Sequence, residues 1–237
     1  MRVALIGYGA MGKFIEQRLN EKGHTIVGIV SLDKLNHINE IEDEIDVIID
    51  FSNPANLSML LEYAIHYKKP LVIATTGFSE EQIKAIYEAA KRVPIVYTAN
   101  FSLGVTVLEE TLKMITPILK DTFDIEVIEK HHNKKIDAPS GTAKMLVSAM
   151  NQNDEFKEVF AREGTTKRDK EIGVHAIRGG TIVGEHSVIF AGEDEILEIK
   201  HEAHSKNIFA NGAIKAAMFL IHQEPGIYTM NDVLFKK

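Results

Sequence analysis

The stretch Glu126–Ala143 concentrates the groups in this chain that could do chemistry. It reads Glu-Val-Ile-Glu-Lys-His-His-Asn-Lys-Lys-Ile-Asp-Ala-Pro-Ser-Gly-Thr-Ala. His131 and His132 are adjacent, Lys130, Lys134 and Lys135 lie close by, and Asp137 follows. A histidine titrates near neutral pH and can move a proton, and a lysine beside it offers a full positive charge. Together they suit proton transfer to an anionic substrate. Adjacent histidines in a charged turn are also what a solvated surface looks like, so the pair alone does not establish a site. The apolar alternation Ile125, Val127 predicts a strand that ends at the histidines. His131 and His132 then face opposite sides and do not form two arms of one metal site; no metal is expected.

The elements that must position these groups follow from the next residues. Pro139 favours an extended residue before it. Ser140 is a good N-cap for a helix that begins at Gly141, and Thr142, Leu146, Val147 and Met150 set its stripe through Gln152. A helix start offers free N–H groups to a carboxylate or phosphate, and Gly141 lets an anion come close. Capping alone also explains Ser140.

A second motif opens the chain. Val3–Ile6 reads as a buried strand, Gly7-Tyr8-Gly9-Ala10-Met11-Gly12 follows, and Met11, Ile15 and Leu19 set a helical stripe. This is G-x-G-x-x-G in the strand–turn–helix context that dinucleotide binding requires. Gly7 permits the tight turn, Gly9 admits a pyrophosphate, and Gly12 lets helix and strand approach. Strands are expected at 25–30, 47–51, 71–74 and 94–97, with a helix from Leu57 to Ala64 and a capping box at Ser79–Gln82 before another. The alternation predicts a doubly wound parallel sheet, whose ligands bind beyond the carboxyl ends of its strands. Thr75, Thr76, Gly77, Ala99, Asn100 and Phe101 fall there, although each could be ordinary loop chemistry and Phe51 and Phe101 also suit a core. The acidic residue expected after the second strand is replaced by Ser31, with Asp33 and Lys34 beyond. Ser31 and Lys34 suit a 2′-phosphate and favour NADPH over NADH; solvated turn residues are the alternative for Asp33 and Lys34.

From Leu103 to Ile118 an amphipathic helix is expected, interrupted near Pro117, and it opens a second domain. Residues 151–170 are polar and poorly periodic and read as a surface excursion. Strands at 173–178, 181–190 and 195–201, joined by tight turns at Gly179-Gly180 and Gly192, join the strand at 125–130 in a mixed or antiparallel sheet with helices on one face. Arg178, Glu185 and His186 are lesser candidates that ion pairing within the sheet explains. A final helix is expected from Ala210 to His222.

Composition narrows the classes. A net charge of −7 argues against general affinity for nucleic acid or anionic membranes. With no cysteine there is no disulfide and no thiolate chemistry. No apolar run approaches the roughly 20 residues needed to span a bilayer. The first residues form a strand and a glycine turn rather than a secretory signal, and a cytoplasmic enzyme is expected.

Glu129-Lys-His-His-Asn-Lys-Lys-Ile-Asp-Ala-Pro-Ser-Gly-Thr-Ala143 resembles the signature Glu-x-His-His-x-x-Lys-x-Asp-Ala-Pro-Ser-Gly-Thr-Ala of the 4-hydroxy-tetrahydrodipicolinate (dihydrodipicolinate) reductases, and the likeness extends over nearly the whole chain. The resemblance implies an α/β protein, with an N-terminal Rossmann-like doubly wound parallel sheet and a smaller α+β domain with a mixed sheet. It implies a discontinuous dinucleotide-binding domain, 1–102 and 206–237, and a substrate-binding and tetramerisation domain, 103–205. The implied reaction is NAD(P)H-dependent reduction of a cyclic dicarboxylate in lysine and diaminopimelate biosynthesis, by a homotetramer. His131 is the implied proton donor. Lys135 would bind a substrate carboxylate and assist protonation, with His132, Gly141 and Thr142 completing that site. Asp137 and Ser140 would shape the loop, and Lys134 falls outside the motif. Cofactor contacts are implied at Gly7, Tyr8, Gly9, Ala10, Met11, Gly12, Ser31, Lys34, Ala74, Thr75, Thr76, Gly77, Ala99, Asn100, Phe101 and Ser102. Two rivals stand beside this assignment: another two-domain nicotinamide oxidoreductase acting on an amine or hydroxyl, and a nucleotide sensor that kept only the first half.

Overall fold

The computed structural model describes residues 1–31, 38, 41 and 45–236. They fall into two compact units, Met1–Leu103 with Asn207–Lys237, and Gly104–Lys206.

The first unit is a doubly wound α/β sheet. Its strands are β1 (Arg2–Ile6), β2 (Thr25–Val30), β3 (Val47–Asp50), β4 (Leu71–Ile73), β5 (Pro94–Tyr97) and, near the C-terminus, β11 (Gly226–Tyr228). Every neighbouring pair is parallel, in the order β11-β5-β4-β3-β1-β2. Strand alternation sends successive side chains to opposite faces. Val3 and Leu5 therefore meet α1 (Ala10–Glu21), α6 (Asn207–Leu220) and α7 (Met230–Phe235) through Ile15, Leu19, Ala213, Ala217 and Val233. Ala4 and Ile6 meet α2 (Leu57–Tyr67) and α3 (Glu80–Ala90) through Leu60, Ala64 and Ile86. A sheet covered on both faces needs near-continuous apolar strands, which is what Val47–Ile49 and Leu71–Ile73 supply. The Ser79–Gln82 capping box forms at the start of α3. The sequence pattern missed β11 and α7, which are three and six residues long, too short to show a period.

The second unit is smaller. It contains most of α4 (Leu103–Leu119), then β6 (Asp124–His131), α5 (Gly141–Met150), β7 (Lys157–Phe160), β8 (Glu171–Arg178), β9 (Gly184–Ala191) and β10 (Ile196–Ala203). The sheet order is β10-β9-β6-β8-β7, with β6 antiparallel to β9 and parallel to β8. Leu108 and Leu112 of α4 and Leu146 and Val147 of α5 pack on Ile125, Val127, Val174, Val188 and Phe190, so the helices cover one face.

Three expectations are corrected here. The Gly179-Gly180 turn does not join neighbouring strands. β6 lies between β8 and β9, and the segment after β8 carries the chain across its end: Gly179 N–H donates to His131 O at 2.9 Å, and Asn133 N–H donates to Gly180 O at 3.3 Å. The polar segment 151–170 contains β7, an edge strand with mostly exposed side chains, held through backbone pairing with β8. Pro117 does not interrupt α4; it removes one N–H in the last turn, where little helix remains to disturb.

Candidate active site

At β1–α1 the glycines act sterically. Gly7 has φ +90°, and a Cβ there would collide with the Phe51 carbonyl oxygen. A Cβ at Gly12 would collide with the Gly7 carbonyl oxygen, whereas Gly9 faces open space. Gly9 is the N-cap of α1 and supplies no side-chain cap to the first turn. The strand order reverses at β1, which lies between β2 and β3, so this helix start stands at the switch point where such sheets take ligands. An uncapped first turn and an unobstructed glycine fit a dinucleotide pyrophosphate. Of the neighbouring residues, Ala10 is exposed, Met11 packs against the core, and the Tyr8 hydroxyl donates to the Glu16 carboxylate.

The remaining first-unit residues follow carboxyl ends of the same sheet. Ser31 comes directly after β2, while Asp33 and Lys34 lie outside the described residues. Ala74 N–H donates to Asp50 O at 2.9 Å, and Thr75 Oγ1 accepts the Ser52 N–H at 2.8 Å. Thr76 and Gly77 are exposed, and Gly77 has φ +83°. The Ser52 hydroxyl lies 2.5 Å from the buried Asp50 carboxylate, whose desolvation raises its pKa against the bonds from Ser52 and Thr75. Ala99 is exposed, and Asn100 Oδ1 accepts the Ser102 N–H at 2.8 Å. Phe101 and Ser102 are buried, with Phe101 in the core and 6.1 Å from Phe51 between ring centroids. Their side chains are therefore structural, and what remains for a ligand there is backbone.

In the second unit, the polar stretch folds around Glu129, which is fully buried. Arg178 of β8, in register with His131 of β6, grips it with both terminal nitrogens, Nη1 to Oε2 at 2.8 Å and Nη2 to Oε1 at 2.6 Å. Ser140 N–H donates to Oε1 at 2.9 Å, and His131 Nδ1 lies 2.6 Å from Oε2. Burial alone would raise the Glu129 carboxyl; Arg178, His131 and the Ser140 amide outweigh it and hold the pKa below the ordinary range. Since an ionised carboxylate only accepts, His131 Nδ1 is the donor.

Ser140 is buried, and its Oγ accepts Ala143 N–H at 3.1 Å, which makes it the predicted N-cap of α5. His132 is half-buried, with an Nδ1 that has no hydrogen-bond partner. Lys135 Nζ pairs with Asp137 Oδ1 at 2.8 Å, which depresses the Asp137 carboxyl. Asp137 also gives its carbonyl to Arg178 Nη2 at 2.6 Å, so it shapes the loop. Lys134 and Gly141 are exposed, and Thr142 is half-buried. The Ala138–Pro139 peptide is cis.

His131, Lys135 and the Ser140 helix start are thus carried by one strand end and one loop. Two further residues join them that spacing undervalued. Arg178 does ion-pair, but with the buried Glu129 of the site. His186 makes no ion pair; its Nε2 lies 3.0 Å from Ser140 Oγ. Glu185 behaves as expected, with Lys130 at 3.1 Å and Lys200 at 2.9 Å. Glu129 had a signal in the sequence: two residues before His131 on one strand, it must share its face.

Family models and relatives match nearly the whole chain. Residues 1–101 match the model described as dihydrodipicolinate reductase, N-terminus, and residues 104–234 match its C-terminus. The chain belongs to the dihydrodipicolinate reductase family. A 4-hydroxy-tetrahydrodipicolinate reductase of Staphylococcus epidermidis is 48% identical over 244 residues, covering 98% of this chain and 100% of the relative. One of Exiguobacterium sibiricum is 44% identical over 242 residues, covering 98% and 96%. A dipicolinate-bound dihydrodipicolinate reductase from Paenisporosarcina sp. TG-14 shares the fold with a TM-score of 0.81 at 19% identity, covering 99% of each chain. Among the described residues, no helix is long and apolar enough to cross a membrane.

Proposed function

We propose that this member of the dihydrodipicolinate reductase family reduces 4-hydroxy-tetrahydrodipicolinate to tetrahydrodipicolinate with NADPH or NADH, in lysine and diaminopimelate biosynthesis. The substrate takes up a hydride and a proton and loses water. The observation that carries this is the buried Glu129 carboxylate, which gathers His131 and the Ser140 helix start of the family motif into one constellation.

The first unit holds the dinucleotide. Gly7 to Gly12 and the first turn of α1 receive the pyrophosphate. Ala74 to Gly77 and Ala99 to Ser102 line the nicotinamide end. Bound there, the nicotinamide supplies the hydride. Ser31, in place of an acidic residue, removes the repulsion a 2′-phosphate would meet and supports a preference for NADPH.

The second unit holds the substrate. A cyclic dicarboxylate needs a cation and N–H donors for its carboxylates. Lys135 supplies the charge, and Gly141 and Thr142 at the start of α5 supply the donors. His132 Nδ1, buried and without a partner, is a further polar atom for the ligand. His131 donates the proton, and Lys135 assists. The exposed apolar side chains Ile177, Val183, Ile196 and Leu197 support assembly through the small sheet, as a homotetramer.

The test follows nicotinamide absorbance with substrate made in place by the synthase that condenses pyruvate and aspartate semialdehyde, with NADPH and NADH in parallel. Oxidation that depends on the synthase product is expected, faster with NADPH. Its absence, with both cofactors shown to bind, would overturn the substrate assignment. Sedimentation checks the tetramer.

A further inference from the structure

We propose that Glu129 is a positioning residue that sets two parts of the site from one carboxylate: it holds His131 through Nδ1, which leaves Nε2 as the atom that gives up the proton, and it anchors the amide of Ser140, from which the substrate-binding helix start departs. This rests on the function proposed above for His131 and α5.

The geometry leaves Glu129 no freedom. It is fully buried, and four donors within 2.6 to 2.9 Å saturate its two oxygens. The Arg178 fork is planar and bidentate, so it fixes the carboxylate plane as well as its position. Arg178 is held in turn by the Asp137 carbonyl. His131 bonds to Oε2 and Ser140 to Oε1, so a rotation of the carboxylate would disturb both at once.

The remaining edge of the imidazole is kept open by a glycine. A Cβ at Gly184 would stand 3.1 Å from His131 Nε2, closer than ordinary van der Waals contact. The titratable groups facing His131 come from each strand around it: Glu129 on β6, Arg178 from β8, and His186 from β9 with ring centroids 5.2 Å apart. In the loop beyond, Lys135 and Asp137 pair with each other. With Glu129 ionised, a protonated His131 carries its second proton on Nε2. Once that proton goes to the substrate, the neutral ring retains Nδ1–H and its bond to Glu129. The ring need not turn between the two states.

The experiment uses the full-length protein labelled with 15N-histidine, with His131 assigned through His131→Asn. Imidazole nitrogen shifts report tautomer and titration without substrate. In the wild type the neutral form of His131 is expected as the Nδ1–H tautomer. Glu129→Gln should yield mixed tautomers at His131. In turnover, the same variant should lower kcat while nucleotide affinity stays unchanged, because the ring no longer presents its proton on Nε2 in every molecule. A merely structural role would leave the tautomer unmixed. A wild-type His131 in the Nε2–H form, or an unmixed Nδ1–H tautomer in Glu129→Gln, overturns the proposal; the wild-type spectrum decides even if the variant does not fold. A wild type that ignores the synthase product would sink the assigned reaction, while the spectra would still decide the part played by Glu129.

Discussion

The Ser140 hydroxyl lies 3.0 Å from His186 Nε2, which ties the residue capping α5 to strand β9. Ser140 already accepts from Ala143, so its proton is free to point at a neutral His186. The start of α5 is therefore fixed from two strands, by Glu129 of β6 and by His186 of β9.

The neutrality of His186 has a consequence for stability. Burial, with the charge of His131 beside it, lowers its pKa to about 4. An unfolded histidine protonates near pH 6.5. Between these values the unfolded chain binds more protons, so stability rises with pH. The His186 contribution is complete above about pH 6.5 and is lost as the pH falls toward 4, in total on the order of 3 kcal/mol. Urea unfolding across this range should show the slope in the wild type and a flatter one in His186→Gln. Equal slopes would count against a buried neutral His186.

Removing the cap itself should be milder. Ser140→Ala loses the bond to Ala143 N–H and should cost about 1 kcal/mol in denaturant unfolding. Because Glu129 still holds residue 140 through its backbone amide, the helix start should persist, with KM for the substrate rising a fewfold. An unchanged KM and an unchanged unfolding midpoint together would show that Ser140 does not position this end.

His131→Gln should lower kcat by roughly 10²- to 10⁴-fold, the usual worth of a positioned general acid. Lys135→Ala should greatly reduce turnover and raise KM, since it removes the charge proposed above to meet a substrate carboxylate. Neither should alter nucleotide affinity, measured by calorimetry without substrate. Turnover like the wild type in both variants would refute this assignment.

Cofactor choice offers a separate test. Ser31→Asp restores the acidic residue that usually binds the ribose hydroxyls and places a negative charge where a 2′-phosphate would lie. The ratio of kcat/KM for NADPH over NADH should drop at least about tenfold, since a charge clash of about 1.4 kcal/mol suffices. An unmoved ratio would exclude Ser31 from the discrimination.

Gly7→Ala probes the first unit. With φ +90° and the Phe51 carbonyl in the way, an added Cβ is strained and obstructed. A loss of stability of about 1–3 kcal/mol is expected in thermal unfolding, together with weaker nucleotide binding.

The features that were legible in the sequence are those made by neighbours along the chain. The β1–α1 glycine turn, the Ser79–Gln82 box, the Ser140 cap and the alternation that buries Val3 to Ile6 on two faces each depend on a few consecutive residues. Family resemblance added the reaction, because the motif from Glu129 to Ala143 is long and contiguous.

What the tertiary structure alone decided lies between residues far apart in the chain. Glu129 meets Arg178 across 49 positions, and Ser140 meets His186 across 46. Both contacts exist because β6 inserts between β8 and β9, a strand order that no local pattern encodes. Turn chemistry and periodicity are short-range, set by sterics and backbone bonds within a few residues. Strand order and register are settled by burying whole faces together. So the sequence by itself determined which side chains could do chemistry, and packing decided that one buried carboxylate would hold them.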